Sequence, residues 1–186
     1  MRQPYFTIGH STLELDAFVA LLKGTEIALL ADVRTVPRSR TNPQFNTETL
    51  PASLAAFQIG YEHLPALGGL RGKSRTIPQT VNGFWINQSF HNFADYAMTD
   101  AFRAGLAELR ERGQERRCAI MCSEAVWWRC HRRLIADYLL AAGESVFHIM
   151  GNGRLEPANL TPGAIIQPDS TIAYPAPGHR PEEPTA

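Results

Sequence analysis

The sequence is short of several things, and each shortage removes a class of protein. It holds three cysteines in 186 residues, too few for a disulfide framework, and Cys118 falls inside an apolar run that reads as a core strand. That usage fits a reducing cytosol, so a cytoplasmic location is expected. No apolar stretch approaches the roughly 20 residues needed to cross a bilayer, and the N-terminus lacks a charged segment leading into an apolar one. No membrane is expected as a partner. Nor is there a surplus of either charge: 18 Lys and Arg balance 18 Asp and Glu. No global field draws such a chain to a polyanion, so any polyanion binding must come from a local patch. No internal repeat is present.

What is present is an alternation of strand and helix patterns. Tyr5 to Gly9 is a short apolar run ending in Gly-His-Ser, and Leu13, Phe18, Leu21 and Leu22 follow at helical spacing. Glu26 to Val33 is nearly continuous in apolar residues, as a parallel strand covered on both faces requires. Thr47 to Phe57 predicts a helix with Pro51 in its first turn, and Gly60 to Leu64 a third strand. Phe90, Phe93 and Tyr96 recur at helical spacing as core residues, and a second helix runs from Asp100 to Gly113. Cys118 to Cys122 is the next strand, Arg129 to Ala142 the next helix, closed by Gly143, and Ser145 to Met150 the last strand. The stretch 66–86, rich in Gly, Pro, Asn and Thr, is expected to act as a lid.

This order predicts an α/β fold: a single three-layer domain over residues 1–155, with a mostly parallel sheet and helices on both faces. Residues 156–186 read as a proline-rich tail, extended or disordered. In a parallel sheet the polar groups that follow each strand converge on its carboxyl edge. Here they are His10 and Ser11, Asp32 and Arg34, then Cys122 and Glu124. Arg129, His131, Arg132 and Arg133 cluster at the start of the next helix, where phosphate or carboxylate groups bind well.

Cys122, at a strand end before a helix start, is a candidate nucleophile, and Glu124 a candidate general acid or base. Glu124 lies only two residues from Cys122, and its charge opposes a thiolate there. His10 and His131 are candidates for moving protons; Cys130 leans towards packing. The spacing Cys-x7-Cys-His matches no common zinc pattern, and adjacent helical residues diverge by about 100°. No metal and no cofactor are therefore expected.

Several of these pieces occur together in one family. The chain resembles the family known as domain of unknown function 488 in Ile8-Gly9-His10-Ser11, in Asp32-Val33-Arg34 with Pro37 and Ser39, and in Tyr61 followed by Leu67-Gly68-Gly69. The Tyr96 region also matches, and above all Met121-Cys122-Ser123-Glu124 with Cys130-His131-Arg132. The resemblance runs in order over about residues 5–150. It implies an α/β fold and a site at these residues, and no established reaction. Where family members tend to carry a proline before Cys-His-Arg, this chain has Ala125-Val126-Trp127-Trp128. A weaker topological likeness is to rhodanese-like sulfurtransferases and cysteine phosphatases. The loop departs from both, with six residues between Cys122 and Arg129 and two tryptophans where an oxyanion cradle needs small residues.

Taken together, the sequence predicts an enzyme, a hydrolase or transferase, acting on an anionic, phosphate-bearing or nucleotide-like substrate. Cys122, Glu124, His10 and His131 are its expected catalytic groups. Ser11, Asp32, Arg34, Ser39, Tyr61, Arg129 and Arg132 are its expected binding groups. Two alternatives remain open at this point. One is a nucleic-acid-binding module using Arg38, Arg40, Arg71, Lys73 and Arg75 with Trp85, Trp127 and Trp128 as stacking platforms. The other is a thiol or metal sensor.

Overall fold

The architecture is a six-stranded sheet with helices on both faces, seen in a computed structural model that describes residues 3–178. The strands are β1 (Tyr5–Gly9), β2 (Leu29–Asp32), β3 (Gly60–His63), β4 (Cys118–Cys122), β5 (Val146–Ile149) and β6 (Leu155–Pro157), in the order β3-β2-β4-β1-β5-β6. The first five are parallel, and β6 returns antiparallel beside β5.

Period-two alternation explains the two cores. Leu29, Ala31, Val33, Cys118, Ile120 and Cys122 face one side; Phe6, Ile8, Leu30, Ala119 and Met121 face the other. Both sets are buried, which is why β2 and β4 read as unbroken apolar runs. Helices α1 (Leu15–Gly24) and α2 (Leu50–Ala55) cover the second side through Phe18, Leu22, Leu50 and Leu54. The first side is covered by α3 (Gln88–Ala97), α4 (Asp100–Glu115) and α5 (Arg132–Ala141) through Phe93, Phe102, Leu109 and Leu134. This is the three-layer α/β arrangement.

The connection after β4 crosses to the opposite face from those after its neighbours β1 and β2. A crevice therefore opens at the carboxyl end of β4, where open α/β sheets place ligands.

The structure departs from the expected elements in three places. The helix expected from Arg129 starts only at Arg132, because residues 127–129 form a tight 3-10 turn. The long connection 66–86 is tied down rather than free. The Arg71 guanidinium lies 3.7 Å over the Tyr96 ring, its Nε donates to the Gly68 carbonyl at 2.8 Å, and Asn92 donates to the Arg71 carbonyl at 2.9 Å.

Finally, the chain beyond residue 155 does not trail away at once. β7 (Ile165–Ile166) and β8 (Ile172–Ala173) pair as a small hairpin, and Tyr174 is buried against α5. Isolated anchors hold this strap: Thr161 N donates to Asp137 Oδ1 at 2.9 Å, Tyr174 Oη to Asp137 Oδ2 at 2.9 Å, and Ile172 N to the Tyr138 hydroxyl at 3.0 Å. Such anchors are separate contacts with no period, so a pattern search passes over them. The end of the proline-rich tail, including His179, lies outside the described residues.

Candidate functional site

A cavity of about 640 Å³ lies at the carboxyl edge of the sheet, walled by the loops after β1, β2 and β4 and by the start of α3. His10, Ser11, Arg34, Ser39, Cys122, Glu124, Arg129 and His131 all line it. Convergence of residues so distant in sequence follows from the parallel sheet. The β1/β4 ladder continues two residues past the strands, with His10 N donating to the Cys122 carbonyl and Ser11 N to that of Ser123. Ser11 holds the left-handed conformation at φ 46°, an uncommon backbone for a side-chain-bearing residue. Gly9 lets the two loops meet, since a Cβ there would overlap the Glu124 carbonyl.

On the floor sit two sulfurs and one imidazole. His131 Nδ1 is 3.9 Å from Cys122 Sγ and 3.7 Å from Cys130 Sγ, and the three donor atoms lie within 4.8 Å of one another. His131 Nε2 is 3.0 Å from the Val33 carbonyl. A carbonyl can only accept, so Nε2 carries a proton there, and Nδ1 is the nitrogen that faces the sulfurs. Cys130 and His131 precede the helix: Cys130 is extended at φ −127°, ψ 146°, and His131 is the N-cap. The helical divergence expected of adjacent residues therefore does not apply, and their side chains meet. Cys130, expected as packing, is a full member of the site.

The surroundings shift the two thiols in opposite directions. The hydrogen bond to Cys130, together with burial, pushes Cys122 well above the usual thiol range. Burial also pushes Cys130 up, but the Cys122 hydrogen bond, the Arg132 guanidinium and His131 outweigh it, and Cys130 ends well below that range. Of the two, Cys130 is the thiol whose surroundings favour the charged form, through the Cys122 hydrogen bond first and then Arg132, whose Nε reaches that sulfur at 3.3 Å.

Two arginines expected at the substrate are committed inward. Arg132 is 1 % exposed, and besides Cys130 it donates to the Glu124 carbonyl at 2.6 Å and to Thr7 Oγ1 at 3.5 Å. Arg34 is bound to Asp32 through Nε at 2.9 Å and Nη2 at 2.6 Å, and Nη2 also donates to the Phe45 carbonyl at 2.6 Å. Tyr61 Oη adds a bond to Asp32 at 2.7 Å. Asp32, Arg34 and Tyr61 thus form a buried clamp beneath the cavity; only the Nη1 edge of Arg34 turns towards His10, at 3.3 Å from Nε2. Burial, with the Arg34 charge adding to it against the Ser11 carbonyl bond, lowers His10 to about 4, and burial pushes Tyr61 up to about 12. His10 is therefore neutral near pH 7, stacked on Phe45 with ring centroids 4.3 Å apart.

The mouth carries the unspent polar groups. Arg129 and Glu124 are exposed and take no side-chain hydrogen bond or ion pair among the described residues. Ser39 Oγ accepts from Asn42 N at 3.0 Å, shaping the rim, and Arg38, which also lines the cavity, pairs with Glu48.

Other residues support the site in ways the sequence did not assign. Gly69 packs so closely on the His131 ring that a Cβ would come 2.6 Å from Nδ1. Behind the site, Thr7 Oγ1 meets His148 Nδ1 at 2.7 Å, and Trp127 stacks on the His148 ring at 4.4 Å while donating to Glu156 at 3.1 Å. Trp127 fixes the loop to β5 and β6, so it is no free stacking platform. Neither is Trp85, buried between Phe90 and Tyr174. Of the three tryptophans named as stacking platforms, only Trp128 keeps a largely exposed face.

The family model described as Domain of unknown function DUF488 matches residues 14–139. The chain belongs to that family. The matched span of this DUF488 chain holds the Asp32–Arg34 clamp and all of Cys122, Glu124, Arg129, Cys130, His131 and Arg132, while His10 and Ser11 lie just before it. No curated protein and no solved structure matches the DUF488 chain, so the likeness to rhodanese-like sulfurtransferases and cysteine phosphatases has no support.

Proposed function

We propose that this protein is an enzyme that acts on a small anionic, phosphate-bearing or nucleotide-like substrate in the cavity at the carboxyl edge of β4. The observation that carries the reading is the division of the cavity. Its floor holds a preorganised group of two thiols and an imidazole, and its mouth holds an unpaired guanidinium, Arg129, beside an unpaired carboxylate, Glu124. Buried polar groups held in fixed geometry under an open mouth suit catalysis better than packing.

In this reading Arg129 engages the anion from the rim, where a bidentate contact orients it. Ser11 and Ser39 border the bound group, and Glu124 moves a proton at the mouth. Arg34 and Arg132 act as positioning residues that hold His10 and Cys130. Cys122, Cys130 and His131 face the reacting atoms from below. The volume accommodates a molecule of metabolite size.

The test is a screen of the purified protein against phosphomonoesters, nucleotides and other small anionic esters, with Arg129→Ala and Glu124→Gln as variants. Turnover in the wild type is expected, with KM raised at least tenfold in Arg129→Ala and kcat reduced at least a hundredfold in Glu124→Gln. Turnover that survives unchanged in both variants sinks the assignment.

A further inference from the structure

We propose that Cys122, Cys130 and His131 form a zinc-type metal site whose fourth coordination position opens into the cavity. This deepens, and rests on, the reading of that cavity as a reaction site.

Donor chemistry comes first. Two sulfurs and an imidazole nitrogen make a soft to borderline set, suited to zinc-like divalent ions and unsuited to magnesium or calcium, which take oxygen ligands. Geometry agrees. Zinc bonds of about 2.3 Å to sulfur and about 2.0–2.1 Å to nitrogen, at tetrahedral angles, separate neighbouring donors by roughly 3.5–3.8 Å. The two sulfur–nitrogen separations here are 3.9 and 3.7 Å. All three donors lie within 4.8 Å of one another, so an ion can settle among them once the two sulfurs close to tetrahedral spacing.

The surroundings are those of a ligand set. His131 presents Nδ1 because its Nε2–H is held by the Val33 carbonyl, the outer-shell bond that fixes a ligating histidine's tautomer and ring plane. Arg132 Nε–H reaches the Cys130 sulfur at 3.3 Å, orienting it from the side away from the mouth. Gly69 leaves the His131 ring room that any side chain would occupy.

No fourth protein donor joins the set among the described residues. His10 and His63 are turned to other partners: His10 Nδ1 to the Ser11 carbonyl at 2.8 Å and His63 Nε2 to the Arg34 carbonyl at 2.8 Å. Three protein ligands with one open position is the pattern of catalytic rather than structural zinc. The three donors line the same cavity as Glu124 and Arg129, so a water or an anion in that cavity can complete the coordination.

The experiment uses the full chain, purified reduced and stripped with a chelator, then titrated with Co(II) alone and with Zn(II) alone. One equivalent of Co(II) per chain is expected, with a sulfur-to-cobalt charge-transfer band and the intense visible bands of a four-coordinate ion. Zn(II) should displace it and raise the melting temperature. Cys130→Ala and His131→Gln, each checked for folding by circular dichroism, should weaken binding at least tenfold; Cys118→Ala, in the core of β4, should bind as the wild type does. Absence of a stoichiometric sulfur–cobalt band in folded wild-type protein overturns the proposal, as does equal binding by folded Cys130→Ala. Azide or inorganic phosphate should shift the visible bands, and bands unmoved by either overturn the open position. Substrate turnover is scored separately: a metal site without turnover removes the enzymatic reading, and turnover without metal removes this one.

Discussion

Arg132 places its Nε 3.3 Å from the Cys130 sulfur while its Nη2 holds the Glu124 carbonyl at 2.6 Å, so one guanidinium fastens both ends of the β4–α5 loop. Replacing it by methionine leaves a buried sulfur, a carbonyl and the Thr7 hydroxyl without this partner. Arg132→Met is expected to cost about 3–5 kcal/mol of unfolding free energy, as breaking a buried ionic contact does. Lysine should not rescue it, because an ammonium lacks the planar fork. Arg129→Ala, exposed at the mouth, should stay within about 0.5 kcal/mol of the wild type. Urea unfolding of the three variants is the check; equal losses would show that Arg132 carries no special structural role.

Gly69 and His131 give a second prediction. A methyl group at residue 69 would sit 2.6 Å from Nδ1 of the ring, well inside van der Waals contact. Gly69→Ala should therefore leave the fold cooperative but turn the ring off its bond to the Val33 carbonyl. The reactivity of Cys122 and Cys130 towards an alkylating reagent should change at least several-fold in the folded variant. An unchanged rate for both thiols would mean that the loop yields instead of the ring.

How far the sequence led can be judged from the same residues. The apolar runs at Leu29–Asp32 and Cys118–Cys122 carry the sheet in their hydrophobicity alone, and the parallel order follows from the alternation with helices. Convergence of His10, Arg34 and Cys122 on one edge was likewise readable. What could not be read was direction. Arg34 and Arg129 are alike in sequence, yet one is sealed in a clamp with Asp32 and the other stands free, a difference set by long-range packing. Helical periodicity from Arg129 sets Cys130 and His131 apart, whereas the helix begins at Arg132 and the 3-10 turn at 127–129 has no periodic signature. Tyr174, alone in a proline-rich stretch, gave no sign of its partner Asp137, 37 residues away.

That strap can be tested. Tyr174 is 1 % exposed, packs on Trp85 and donates to Asp137. Tyr174→Phe keeps the ring and should cost about 1–2 kcal/mol for the lost bond, whereas Tyr174→Ala should cost about 3–5 kcal/mol through the cavity it leaves. A chain truncated after residue 160 should lose at least as much. If thermal melts of Tyr174→Ala and the wild type coincide, the strap does not belong to the cooperative unit.

Two buried histidines predict how stability depends on pH. Burial lowers His10 to about 4, with the Arg34 charge working in the same direction against the Ser11 carbonyl bond; burial followed by the Arg132 charge lowers His148 to about 4. Unfolded, both rings protonate near the ordinary value of about 6.5. Between these limits the unfolded chain binds more protons than the folded one, so stability rises with pH across the window. The contribution is complete above about pH 6.5 and is lost as pH falls towards about 4, on the order of a few kcal/mol for the pair. Replacing one ring by glutamine, in His10→Gln or His148→Gln, removes that ring's titration. Either variant should give a flatter plot of unfolding free energy against pH between 4 and 6.5, even where its stability at pH 7 is lower. Urea titrations at four or five pH values measure the slopes directly. Parallel slopes in wild type and both variants would mean that these rings already titrate in the folded chain as they do in water, and that their burial does not exclude the proton.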